Sequence, residues 1–150
     1  MTIEGLFSAC NLLAMAGWIL LLLFPRRRIA MTMAGTVIPL SLAAVYLIVF
    51  AMNVRGSSGG FSSLAGVAQL FDNRWLLLAG WVHYLAFDLF IGAWETRDAM
   101  ARGVSRLLLA PCLIVTFMLG PIGLLGYHAL RAVVHQPLDG AVLAPVPKAD

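Results

Sequence analysis

A chain of 150 residues that is 61% hydrophobic and 11% charged, with a mean hydropathy of +0.92, cannot supply the polar exterior a water-soluble domain of this size needs. Ten Lys and Arg against seven Asp and Glu leave a net charge of +3, but the one tight basic cluster, Arg26, Arg27 and Arg28, falls between two apolar runs. There it reads as an orientation signal and not as a nucleic-acid surface, so composition excludes a soluble enzyme and a nucleic-acid binder and makes the lipid bilayer both solvent and partner.

The first apolar run, Gly5 to Pro25, carries no formal charge over 21 residues. At about 1.5 Å per residue it covers the roughly 30 Å hydrocarbon core. Glu4 precedes it and the arginines follow it, the reverse of a signal peptide, so it is expected to stay as an anchor. Ile29 to Val54 is the second uncharged run, 26 residues long, and Pro39 inside it predicts a kink. Between Arg55 and Arg74 a Gly-Ser-rich turn, Gly56 to Gly60, leads into Phe61 to Phe71. Leu64, Val67, Ala68 and Phe71 have helical spacing there and predict a short interfacial helix.

Trp75 to Trp94 forms a third run, broken by Asp88 and accompanied by His83, and ends in the charged stretch Glu95, Arg97, Asp98 and Arg102. Leu107 to Leu130 is a fourth, 24 residues without charge, in which Pro111, Pro121, Gly120, Gly123 and Gly126 predict a distorted helix. The expected fold is thus all-α: a polytopic bundle of four transmembrane helices over residues 1–134, with a short interfacial helix between the second and third. The remaining 135–150 is expected to be a mobile tail. Four crossings place both termini on one side. Counting Lys and Arg gives six residues on the face of the first loop against four on the other, which predicts both termini outside the cytoplasm. The second half of the chain has no counterpart to the basic loop or the charged third helix, which disfavours an inverted-repeat transporter.

Chemistry concentrates on the third run. On a helix Tyr84, Asp88, Glu95 and Asp98 fall within about 80° of one another, with His83 at the edge of that face. A carboxylate in hydrocarbon costs at least roughly 2.5 kcal/mol, so this face must point into the bundle. Asp88, preceded by 13 uncharged residues and followed by six, is the sharpest candidate for general acid work; the structural alternative is a packing role, capped by Tyr84 or Asn11. His83 is a candidate acid or base beside it, and Glu95 a second carboxyl or an ion-pair partner of Arg97, Arg102 or Arg106. Asp98 reads as a solvated helix end.

On the first run Glu4, Asn11 and Trp18 recur every seven residues on one face, which makes Asn11 either a polar partner across the bundle or packing glue. Tyr46 on the second run closes a cavity or fills one. On the fourth, Thr116, Gly120, Gly123 and Tyr127 share a direction, and small residues there allow close helix approach or leave room for a flat apolar ligand. Cys10 and Cys112 lie in apolar runs with no CxxC spacing, and no GxSxG, HExxH or phosphate-binding motif is present. No metal and no cofactor is expected.

The string Trp81-Val-His-Tyr-Leu-Ala-Phe-Asp-Leu-Phe-Ile-Gly-Ala-Trp94, followed by Asp98 and by Pro111-Cys-Leu-Ile-Val-Thr-Phe-Met-Leu-Gly-Pro-Ile-Gly-Leu-Leu125, resembles the abscisic-acid-deficient-four-like membrane family. So do Gly17-Trp18 ahead of Leu-Leu-Leu-Phe-Pro25 and the Gly-Gly-Phe-Ser-Ser-Leu loop. The resemblance covers roughly residues 5–132. It implies a long apolar polyene or related isoprenoid as ligand, and a reaction like the formation of neoxanthin, in which a carotenoid epoxide rearranges to an allene. On that reading Asp88, His83 and Glu95 are the catalytic candidates. Tyr84, Asn11, Trp18, Tyr46, Trp81, Thr116, Gly120 and Tyr127 are the candidates for lining the substrate. The competing reading is a non-catalytic membrane protein that binds a lipid or pigment or assists a carotenoid enzyme. A homodimer is compatible with either.

Overall fold

The computed structural model describes residues 2–134, in which every regular element is helical. The expected tail over 135–150 lies outside the described residues. Helix α1 spans Ile3–Leu23 and is capped by Thr2, whose hydroxyl accepts from the Gly5 amide at 3.1 Å, with Glu4 set favourably in its first turn. It ends at Phe24, before Pro25. The next helix is continuous over Arg28–Asn53 and has three parts: α2 (Arg28–Thr32), a π-helical turn (Met33–Val37) and α3 (Ile38–Asn53). Pro39 has no amide to offer the Gly35 carbonyl, and the wider turn directly before it takes up the missing bond; the expected kink takes this form.

Helix α4 (Leu64–Asp72) starts where the Ser63 hydroxyl accepts from Gly66 at 3.0 Å. Helix α5 (Arg74–Ala101) follows after Asn73, whose side chain caps Trp75. Its 28 residues make it the longest described element and its axis the centre of the bundle, with α1, α3 and α6 packed around it. Together Ile3–Leu23, Arg28–Asn53 and Arg74–Ala101 are three helices long and apolar enough to cross a bilayer.

Helix α1 runs parallel to α5, and its seven-residue stripe is what meets it. Glu4 pairs with Arg74 at 2.7 Å, Asn11 accepts from the Trp81 indole at 3.2 Å, and the Trp18 ring lies flush on Gly92. Gly17 likewise admits Leu89. Helix α3 runs antiparallel, with Tyr46 beside His83 near one end of α5 and Gly35 under the Arg97 guanidinium near the other.

The fourth apolar run departs from expectation. It is not one distorted helix but two, α6 (Arg106–Leu119) and α7 (Pro121–Val133), broken at Gly120 with φ +39°. At 14 and 13 residues, each is about 20 Å long and too short to cross a 30 Å core. Helix α6 climbs back along α5 until Phe117 meets Tyr84, and α7 then reverses, bringing Tyr127 and Arg131 to Asp98. Closure of this hairpin rests on Gly123, which sits directly on the backbone and hydroxyl of Thr116 where any side chain would clash. The expected fourth long helix is therefore corrected to a helical hairpin beside three long helices. Within the described residues, Thr2 lies at the Arg74 end of α5 and Arg131 at the Arg102 end.

Candidate functional site

Asp88 projects from the middle of α5, 14 residues from Arg74 and 13 from Ala101, which puts it about 20 Å from either end. Its side chain is buried, and Oδ2 is the single buried side-chain nitrogen or oxygen among the described residues that has no hydrogen-bond partner. Against it lies the tip of the α6–α7 hairpin. A Cβ built on Gly120 would stand 2.8 Å from Oδ1 and 3.1 Å from Oδ2, so the close approach and the left-handed backbone both require glycine there. One turn before Asp88, the Tyr84 hydroxyl donates to the Phe117 carbonyl at 3.2 Å, which satisfies a group the helix break would leave free. Trp18 completes the wall, with its ring on Gly92 and edge-on to Phe117 at 5.5 Å.

Two turns further along the same face Glu95 is fully buried, with the Thr116 hydroxyl 3.0 Å from each carboxyl oxygen. One hydroxyl proton serves one oxygen at a time, so the pair fixes the carboxyl's position while leaving it spare accepting capacity. The three arginines weighed as its partners go elsewhere: Arg97 reaches the Met31 carbonyl at 3.5 Å, Arg102 binds Asp98, and Arg106 lines a pocket at the start of α6.

The structure thus gathers Asp88, Tyr84, Glu95, Trp18, Thr116 and Gly120 around the hairpin tip. It places the other candidates apart. His83 is exposed, stacked on Phe87 at 4.6 Å and edge-on to Tyr46 at 5.4 Å, because five residues of helix turn it about 140° from Asp88. His83 and Tyr46 instead line a cavity of about 250 Å³ with Phe50, Phe61, Phe71 and Gly80. Asn11 and Trp81 bond each other near an apolar cleft of about 370 Å³ that Trp81 lines with Phe7 and the Glu4 and Arg74 pair.

Tyr127, although fully buried, belongs to a different cluster. Its hydroxyl donates to Asp98 at 2.7 Å, and the same carboxyl oxygen receives Arg102 at 2.7 Å and Arg131 at 3.3 Å. Trp94 stacks on His128 and carries the Arg131 guanidinium over its ring. Asp98 is therefore a half-buried ion-pair hub and not a solvated helix end. The signal that could have found it is Tyr127 and Arg131, four apart on one face of a helix that is otherwise apolar except for His128. Both cysteines are free, and no three His, Cys, Asp or Glu side chains converge among the described residues.

These features define an all-α membrane protein whose central helix carries a buried, partly unsatisfied carboxyl beneath a helical hairpin. The chain belongs to the ABA DEFICIENT 4-like family, which it matches over residues 5–127, a span that includes Asp88, Glu95, Thr116 and the hairpin tip. No curated protein and no solved structure matches it.

Proposed function

We propose that the protein is a membrane-embedded isomerase that acts on a carotenoid or a related isoprenoid by proton transfer at Asp88. The observation that carries this reading is the Asp88 carboxyl itself: buried, at the middle of the longest apolar helix, with one oxygen unpartnered in a bundle that satisfies every other buried side-chain oxygen and nitrogen among the described residues. The family's relation to neoxanthin synthase supplies the substrate class.

An epoxide-to-allene rearrangement needs one proton delivered and one removed. The protonated carboxyl gives its proton to the epoxide oxygen as the C–O bond breaks, and the oxygen becomes a hydroxyl. The resulting carboxylate takes the vinylic proton from the neighbouring carbon, whose C–H electrons form the second cumulated double bond. The carboxyl is restored, the product is an isomer of unchanged mass, and the proton balance closes on one residue. Glu95 lies about 10 Å further along the helix, too far to share the same bond, and His83 is on another face. The depth of Asp88 also constrains the substrate, because its reacting end must reach the bilayer centre and not remain at the headgroups.

In this reading α1, the α2–α3 helix and α5 cross the membrane, and α6–α7 enters and leaves from one side. Arg26, Arg27, Arg28, Arg97, Arg102, Arg106 and Arg131 then share one face and Arg55 and Arg74 the other, seven against two. The Thr2 end is outside and residue 134 at the cytoplasmic face. Helix α4, with exposed Phe61 and Leu64 at its start, lies in the outer interface.

The test is pigment profiling of cells that make carotenoid epoxides and express either the parent protein or Asp88→Asn at equal membrane levels. A new isomer of unchanged mass, lost with Asp88→Asn, is expected. Full product formation by Asp88→Asn would rule out the proton path. Absence of any new isomer from the parent protein would favour the non-catalytic role in pigment binding or assembly.

A further inference from the structure

We propose that the Arg102 end of the bundle carries a built site for the phosphate headgroup of an anionic phospholipid, distinct from the Asp88 site and independent of the isomerase reading. A pocket of about 230 Å³ opens between the Pro25–Arg26 turn, the last turns of α5 and the start of α6. Two arginines from opposite sides of it, Arg26 and Arg106, line it together with Ser105 and Thr96, while Met100 and Leu109 supply an apolar floor.

The charges here are not spent within the protein. Ion pairs at this end engage Arg102 and Arg131 with Asp98, whereas neither Arg26 nor Arg106 has an ion-pair partner among the described residues, and both are exposed. Two cations held at one pocket repel each other, so an anion between them relieves a cost as well as adding charge-assisted hydrogen bonds. The tight turn that forms the rim is fixed in sequence: Gly103 at φ +68° lets the Val104 amide return to the Ala99 carbonyl at 2.9 Å, and this sets Ser105 and Arg106 facing back toward the first loop.

The apolar floor argues for an amphiphile over a free anion. Leu107 and Leu108, adjoining the pocket, are exposed on the outside of α6, where an acyl chain attached to a seated headgroup would run. Arg27 and Arg28 add positive potential nearby but do not line the pocket. They therefore provide a control of equal charge at the same end of the molecule.

The experiment is native mass spectrometry of the full chain, delipidated and titrated with phosphatidylglycerol or phosphatidylcholine. It compares the parent with Arg26→Gln/Arg106→Gln, Arg27→Gln/Arg28→Gln and Arg26→Lys/Arg106→Lys. One retained phosphatidylglycerol per chain is expected, at a half-saturating concentration about tenfold below that of phosphatidylcholine. The preference should vanish in the first variant, persist within about threefold in the second, and be largely kept by the lysine pair, which also reports that the fold survives change at these positions. Equal loss in both glutamine pairs would reduce the effect to general surface charge and overturn the site. Displacement of the retained lipid by millimolar inorganic phosphate would overturn the lipid as occupant and reassign the pocket to a soluble phosphate. No preference over phosphatidylcholine in the parent would overturn the proposal outright.

Discussion

Asp88 owes its environment to three residues that carry no charge. Gly120 brings the hairpin tip against its carboxyl, Tyr84 closes the Phe117 carbonyl, and Trp18 packs on Gly92, one turn along α5, and edge-on to Phe117. Gly120→Ala should both strain the backbone and push a methyl group into the Asp88 oxygens. A loss of about 1–3 kcal/mol is expected, read as a lower unfolding midpoint in detergent, together with loss of any isomerase product. His83→Gln, by contrast, changes an exposed ring stacked on Phe87 and edge-on to Tyr46, away from Asp88, and product formation is expected to stay within about twofold of the parent. A drop as deep as that of Asp88→Asn would return His83 to the proton path. Asp88 was legible in the sequence because nineteen uncharged residues flank it, and hydrocarbon tolerates such a group only for a reason. Its surroundings were not, since Gly120 and Trp18 reach it from helices 32 and 70 residues away in the chain.

Among the elements, the hairpin gives the greatest departure from the linear reading. Glycine and proline at 120 and 121 announced a distortion, but a distortion and a reversal have the same local signature. What decides for reversal is the tertiary anchoring of α7: Gly123 seats it on Thr116, and Tyr127 and Arg131 tie it to Asp98. Asp98→Asn leaves the buried Arg102 and the half-buried Arg131 beside a neutral side chain. A destabilisation of about 3–5 kcal/mol is expected. It should show as a markedly lower unfolding midpoint and faster proteolysis within 121–133, while the α1–α5 core stays resistant. Uniform proteolysis of the whole chain would mean that the hub supports the bundle and not the hairpin. The π-helical turn before Pro39 is a smaller case of the same kind. The proline was visible, but the wider turn forms where Arg97 and Ala93 of α5 pack against Gly35.

At the scale of the molecule, the reversal carries Val133 back to the Arg102 end of α5. Single cysteines introduced at Ser105 and Val133, in a Cys10→Ser/Cys112→Ser background, should react with a membrane-impermeant maleimide from the same side of sealed vesicles, and one at Ser58 from the other. Labelling of Val133→Cys from the Ser58 side would restore the four-crossing topology.

The sequence by itself determined that the chain is a membrane protein, where its three long apolar helices run, which face of α1 packs inward and which carboxyl in α5 is exceptional. Each of these follows from local hydropathy, helical period and the cost of an isolated charge in hydrocarbon, which are properties of adjacent residues. Only the tertiary structure decided that the fourth run folds back, that Glu95 rests on Thr116, that Asp98 is an ion-pair hub and that His83 faces away from Asp88. Those outcomes depend on contacts between distant segments, where glycine size and the pairing of a few polar groups select one packing out of several that hydropathy alone leaves equal.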